Sequence, residues 1–244
     1  MAATEAPKSV DVTVDEQTRV SGLWQDAPGA HACFVMAHGA GAGMRQAFLQ
    51  SLSAELAALG VASLRYQFPY MERGSRRPDA PALCHATVRA AVAEARRLTS
   101  APLVAGGRSF GGRMTSQAQA LEPLPGVDGL VFLAFPLHPA KHPAIERAQH
   151  LFEVRVPMLF LQGTRDELAQ LSLLEPLVER LGRLATLERY EQADHSYHVP
   201  ARSGRTDAQV RTEIAKRIAE WTLALTGKRW RPGAPAAATT SISD

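Results

Sequence analysis

Cysteine is scarce in this chain, with two residues in 244. Cys33 lies in an apolar run and Cys84 in a helix-type stretch, so they form neither a disulfide scaffold nor a metal-type spacing. Both read as buried thiols acting as small hydrophobes. Long apolar runs are missing as well, and no stretch reaches the length of a membrane span. The opening segment, MAATEAPKSV, has neither a charged n-region nor an apolar h-region, which argues against a signal peptide. Charge of one sign is in no great excess: 27 Lys and Arg face 24 Asp and Glu, a net of +3. The basic residues are spread out, and their one cluster, Arg73, Arg76 and Arg77, has no interleaved aromatics. It reads as a solvated loop rather than a nucleic-acid surface. A GK[ST] phosphate loop, a G-x-G-x-x-G fingerprint and an internal repeat are absent too. The expectation is a cytoplasmic protein that engages neither membrane nor nucleic acid, with its oligomeric state left open.

What the chain does have is apolar material for a sizeable core, 45% of its residues, and a regular alternation of patterns. Residues 10–14 and 18–24 read as an antiparallel hairpin turning at Asp15, Glu16 and Gln17. Residues 31–37 (HACFVMA) are nearly all apolar, as a strand buried on both faces should be. Residues 46–59 have helical spacing and stop at Gly60, a natural helix terminator. A strand over 61–66 follows, then a helix over 80–98 with Asp79 as its cap. Further along come a strand at 103–106, a helix at 113–121, and buried strands at 129–135 and 158–161. A helix at 171–181, a strand at 185–190 and a helix at 207–225 close the series. This order predicts an α/β fold with a mostly parallel sheet and helices on both faces. A single domain is expected over residues 1–227. The tail 228–244, rich in Pro, Ala, Ser and Thr, is expected to be loosely draped.

The strongest chemical signal is Gly107-Arg108-Ser109-Phe110-Gly111, placed between a strand and a helix. A serine nucleophile at the end of a parallel strand must stand on a sharp turn, and glycines on either side permit the close approach that this turn forces. The helix that follows aims its N-terminus at the site and favours negative charge there. A glycine-rich turn that binds phosphate is the rival reading. In such a site the chain order is serine, then acid, then histidine. Asp166, in VPMLFLQGTRDE, falls just beyond a buried strand at the carboxyl edge of the sheet. Capping of the next helix is the plainer role for it; Glu167 is adjacent, and Asp128 precedes its strand and so lies at the wrong edge. Two histidines follow Asp166, and His195 is nearer its strand end than His198, so it is the candidate base. Asp194 reads as a turn-former. For the oxyanion, the N–H of Phe110 and a second N–H from the loop 38–43 (HGAGAG) are the candidate donors. Ala40 is assigned, to within one residue, and His38 braces that loop.

HGAGAGM after an apolar strand, GGRSFGGR at the turn, LQGTRDE and ADHSYH together resemble the α/β-hydrolases of the dienelactone-hydrolase-like group. In particular they resemble small bacterial proteins related to testis-expressed protein 30 and the KAT8 regulatory complex subunit 3 family. The resemblance runs from His31 to Trp221. It implies the α/β-hydrolase fold, an eight-stranded sheet, and Ser109, Asp166 and His195 at the triad positions. Dienelactone hydrolases typically use cysteine where this chain has Ser109, so their substrate is not implied. Some relatives serve as complex subunits, which keeps a non-catalytic binding role as the alternative.

The expected chemistry is hydrolysis of a small-molecule acyl substrate through an acyl-enzyme on Ser109, with no metal or cofactor. Acyl transfer and cofactor-free peroxidation fit the same residues. About twenty residues separate Phe135 from Met158, room for a loop and a short helix but no large cap domain. The expected pocket includes Gly41, Arg45, Arg108 and His138. Arg45, Arg108 and Arg113 would bring positive charge to its mouth. His138 and His142 have a metal-like spacing but no third ligand nearby, and a pocket-edge or structural role is preferred for them.

Overall fold

The computed structural model describes residues 5–227. The tail at 228–244 therefore lies outside the described residues. Strands β1 (Lys8–Thr13) and β2 (Arg19–Gln25) form the expected hairpin, with Asp15 Oδ1 accepting the N–H groups of Gln17 and Thr18 at its turn. They are followed by β3 (Ala32–Ala37), α1 (Ala47–Ala58), β4 (Val61–Tyr66), a single turn α2 (Pro69–Glu72) and α3 (Pro81–Leu98). Then come β5 (Leu103–Arg108), α4 (Phe110–Leu121), β6 (Val127–Leu133), β7 (Met158–Gly163), α5 (Leu171–Leu181), β8 (Ala185–Tyr190) and α6 (Asp207–Thr226). The eight strands make one sheet in the order β1-β2-β4-β3-β5-β6-β7-β8. Pairing is parallel from β4 to β8 and antiparallel where β2 meets β1 and β4.

Alternation along the strands explains how so apolar a sheet is covered on both sides. Cys33, Val35 and Ala37 face one core, with Leu103, Ala105, Leu130, Phe132, Met158 and Phe160. Helices α3, α4 and α5 seal it with Val88, Met114 and Leu174. Phe34, Met36, Val104, Val131 and Leu159 face the other, against Leu52 of α1 and Ile214 of α6.

Several details depart from the sequence reading, among them these three. Helix α4 begins at Phe110 rather than 113, so Ser109 stands directly at its N-terminus. Strand β6 starts and stops two residues early, because Ala134 turns into the left-handed region at φ 56°. Asp79 does not cap α3: Ala80 occupies that position without a side-chain cap, and Asp79 pairs with Arg73. Between β6 and β7 there is only a 3-10 segment, Glu146–Glu153. Among the described residues no helix is long and apolar enough to cross a membrane.

Candidate active site

From β3 the chain moves outward to β4 and then returns to β5 on the other side of β3. The loops leaving β3 and β5 therefore diverge around a crevice at the carboxyl edge, the usual place for a site in an open parallel sheet. Ser109 sits there at φ 49°, ψ −116°, a conformation that a residue with a Cβ adopts only under constraint. Tight packing supplies the constraint. A Cβ on Gly107 would lie 2.2 Å from the Ala37 carbonyl oxygen, and one on Gly111 would lie 2.5 Å from that of His38. The N–H of Ser109 is anchored to the Leu133 carbonyl at 2.9 Å.

Asp166 and His195 come to Ser109 from the ends of β7 and β8. His195 Nδ1 is 2.7 Å from Asp166 Oδ2, and its Nε2 is 2.9 Å from Ser109 Oγ. With Nδ1–H donating to the carboxylate, Nε2 is left to accept the serine hydroxyl. The Asp166 side chain is wholly buried, while that of His195 is partly open. Two further donors hold the carboxylate: Leu168 N–H to Oδ1 at 2.8 Å and Gln162 Nε2 to Oδ2 at 2.5 Å. The acid and histidine loops are themselves tied together, by Arg165 N–H to the Ala193 carbonyl and Gln192 N–H to Thr164 Oγ1.

The rival residues are occupied otherwise. His198 is exposed and bonded through Nδ1 to Asp207 Oδ2, and that partner raises its pKa. Asp194 Oδ1 accepts the N–H groups of Ser196 and His198, closing a turn. Glu167 points to solvent. Asp128 is exposed at the opposite end of β6.

The loop after β3 passes beside the serine, since a Cβ on Gly39 would lie 3.9 Å from that of Ser109. Three of its N–H groups are taken. Gly41 N–H donates to Tyr70 Oη, Ala42 N–H to the Gly39 carbonyl, and Met44 N–H to Gln67 Oε1. Among the described residues, the N–H groups of Gly39, Ala40 and Gly43 have no hydrogen-bond partner. Phe110 N–H opens α4 and belongs to the first turn, whose N–H groups lack intrahelical partners. Ala40 and Phe110 are thus two of the unpaired donors on the segments that flank Ser109.

His38 is completely buried beneath that loop. Nδ1–H donates to the Gly39 carbonyl at 2.7 Å, and Nε2 accepts the Phe68 N–H at 3.1 Å. Burial holds its pKa down at about 4, so it stays neutral and keeps both roles. On the loop's far side, Arg65 donates to the Met44 carbonyl; burial first, then Arg45, lower its pKa to about 10.

Two of the expected pocket residues turn inward instead. Arg108 is 6% exposed, stacks over the Phe48 ring at 5.2 Å and donates to the His195 carbonyl at 3.3 Å. His138 is 0% exposed; Nδ1–H donates to the Pro139 carbonyl and Nε2 accepts the Gln170 N–H, tying the loop after β6 to the acid loop. Burial with both ring nitrogens engaged removes His138 from any pocket wall. Gly41 and Arg45 remain at the surface of the loop after β3, and His142 is exposed. Among the described residues no group of three or more His, Cys, Asp or Glu gathers for a metal. Gln162 was not foreseen, although a lone amide ending the apolar run MLFL is the signal that marks it.

A family model described as "Alpha/beta hydrolase domain" matches residues 30–223. The chain belongs to the α/β-hydrolase family. Solved structures carry the same fold at low identity. A dienelactone hydrolase from Anabaena variabilis is 20% identical, with a TM-score of 0.72 over 90% of this chain and 99% of its own. A lidless α/β serine hydrolase from Xanthomonas campestris is 18% identical, with a TM-score of 0.68 over 94% and 97%. Est1E from Butyrivibrio proteoclasticus is 15% identical, with a TM-score of 0.67 over 90% and 100%. As an α/β-hydrolase the chain carries no cap domain between β6 and β7, only the 3-10 turn already described.

Proposed function

We propose that this α/β-hydrolase is a serine hydrolase that cleaves the acyl bond of small carboxylic esters or thioesters in the cytoplasm. The observation that carries the reading is the unbroken chain of short contacts from Asp166 through His195 to Ser109, 2.7 and 2.9 Å. In the first half-reaction His195 Nε2 takes the Ser109 proton as Oγ attacks the carbonyl carbon. The N–H groups of Phe110 and Ala40 hold the oxyanion. Collapse of the tetrahedral species breaks the bond to the leaving group, which takes the proton back from His195. Water then repeats the sequence on the acyl-enzyme: His195 removes its proton, the ester to Ser109 breaks, and Ser109 is reprotonated. Every step uses groups of this chain.

Labelling with a fluorophosphonate probe tests this, comparing wild type with Ser109→Ala and His195→Ala. Covalent labelling of the wild type that disappears in both variants is the expected result. A folded wild type that resists the probe would overturn the serine-hydrolase reading in favour of a binding subunit. Labelling without ester or thioester hydrolysis would point to acyl transfer.

A further inference from the structure

The loop after β3 that passes beside Ser109 has no side chains able to hold it. From Gly39 to Gly43 it carries only hydrogens and methyl groups, and three of the five residues are glycine. A segment so composed is conformationally soft. Donors for an oxyanion must nevertheless stand in place before the reaction begins. The restraint therefore has to come from outside the loop.

It comes from one short strip, the end of β4 and the turn α2. Gln67 Oε1 accepts the Met44 N–H at 2.8 Å, and Arg65 Nη1 donates to the Met44 carbonyl at 3.2 Å. The loop's far end is thus gripped on both sides of one residue. Nearer the serine, the Tyr70 hydroxyl accepts the Gly41 N–H at 3.3 Å. That N–H lies at the centre of a turn closed by Ala42 N–H to the Gly39 carbonyl at 3.2 Å. Gly41 has φ 67° in its third position, as a type II turn requires. The hydroxyl therefore fixes the peptide that joins Ala40 to Gly41.

The same side chain reaches the other half of the site. Its ring meets the Phe110 ring edge-on at 6.4 Å and stacks on Phe68 at 6.1 Å. Phe68 itself meets Phe110 at 5.6 Å. Tyr70 is fully buried, and burial pushes its hydroxyl up to about 12, so the acceptor stays neutral at ordinary pH. Phe110 and Ala40 carry the two proposed oxyanion donors, on separate segments of the chain. Tyr70 packs on the side chain of the first and holds the peptide that follows the second.

We infer that Tyr70 is a positioning residue for the oxyanion hole, setting its two donors relative to one another, and that Gln67 holds the far end of the same loop. This inference rests on the serine-hydrolase reading and adds residues that act through the loop rather than on the substrate.

Tyr70→Phe tests it by removing the hydroxyl and keeping the ring. Turnover of phenyl acetate is measured per Ser109 titrated with the fluorophosphonate probe, which discounts any unfolded fraction. The expected result is a fall in kcat of about tenfold or more, with KM changed by less than about twofold. Inhibition then separates the oxyanion from the rest of the site. Phenethyl trifluoromethyl ketone forms a tetrahedral adduct with a reactive serine, and should bind the variant about tenfold more weakly, in step with kcat. Phenethyl methyl ketone, which stays trigonal, should bind both proteins alike. Should Tyr70→Phe fold poorly, Gln67→Met carries the same test, and Gln67→Glu, which keeps an acceptor for the Met44 N–H, should retain what Gln67→Met loses. Unchanged kcat and unchanged affinity for the trifluoromethyl ketone would overturn the inference and leave the hydrolase reading intact. Equal weakening of both ketones would overturn it too, by making Tyr70 a substrate contact. A folded wild type that neither takes the probe nor turns over phenyl acetate would remove both.

Discussion

The guanidinium of Arg108 donates a hydrogen bond to the backbone carbonyl of His195, joining the residue before the proposed nucleophile to the residue proposed to deprotonate it. Arg108 is clamped from behind by Phe48, which in turn stacks on Tyr197 at 5.2 Å. Tyr197 closes the circuit by donating its hydroxyl to the Leu161 carbonyl at 2.7 Å. The histidine loop is thus set by side chains below the site as well as by its bond to Asp166.

Removing that tie should misplace the base without touching the substrate. Arg108→Met is expected to lower kcat by roughly tenfold to a hundredfold, with KM little changed. Arg108→Lys should recover only part of the loss, because an ammonium does not stack flat on Phe48. Steady-state kinetics on any turned-over ester decides the matter. A rise in KM at constant kcat would instead mean that Arg108 contacts substrate.

Gln162 offers a comparable test on the acid side. Gln162→Leu deprives Asp166 Oδ2 of one donor and leaves the carboxylate freer to rotate away from His195. A fall in kcat of about tenfold is expected, against roughly a thousandfold or more for Asp166→Asn, which removes the acceptor that fixes the histidine tautomer. Equal losses in the two variants would count against a supporting role for Gln162.

Folding should weaken as the medium becomes acidic, and for an identifiable reason. His38 and His150 titrate near 4 in the folded chain, both chiefly through burial, against about 6.5 when unfolded. Between these values the unfolded chain binds protons that the native one refuses, so stability is complete above pH 6.5 and declines on the way down to pH 4. Each histidine contributes a slope of up to about 1.4 kcal/mol per pH unit. His198, raised by Asp207 at the surface, acts in the opposite direction. Denaturant unfolding between pH 7 and pH 5 should show the decline, and a His38→Asn, His150→Asn double variant should flatten it. An unaltered slope in the double variant would refute the assignment.

Two glycines should respond to alanine very differently. At Gly107 the new Cβ would meet backbone, and the β3–β5 contact must open; Gly107→Ala is expected to cost more than about 4 kcal/mol or to abolish folding. Gly74 also has a positive φ, 73°, but nothing lies within 4 Å of its would-be Cβ. There only conformational strain remains, about 1–2 kcal/mol. Thermal unfolding of the two variants ranks them directly.

The positions of Ser109, Asp166 and His195 could be read from the sequence because each follows a strand-like stretch, and strand ends in a parallel sheet share one edge. Local patterns served less well where contacts from elsewhere decide. Gly111 and Gly112 stand before the helix expected at 113–121. Both lie inside α4, because that turn packs against the His38 carbonyl and the Gly107 carbonyl too closely for side chains. The sequence reading places Arg108 and His138 in the pocket. Their burial depends on Phe48, the histidine loop and the acid loop, which lie far away in the chain. The single turn α2 carries too few residues to show a period, yet it supplies the Tyr70 hydroxyl that Gly41 needs.

The left-handed backbone at Ser109 sets folding against the proposed reactivity at one residue. A glycine there would relax the turn and stabilise the chain by about 1 kcal/mol, at the cost of the hydroxyl. The native state therefore works like a cocked spring: the energy that holds Ser109 in its awkward pose comes from the packed sheet, and whatever loosens the sheet disarms the serine before the fold is lost. Inactivation should run ahead of global unfolding for this reason, and a preparation that still looks folded need not be one that still reacts.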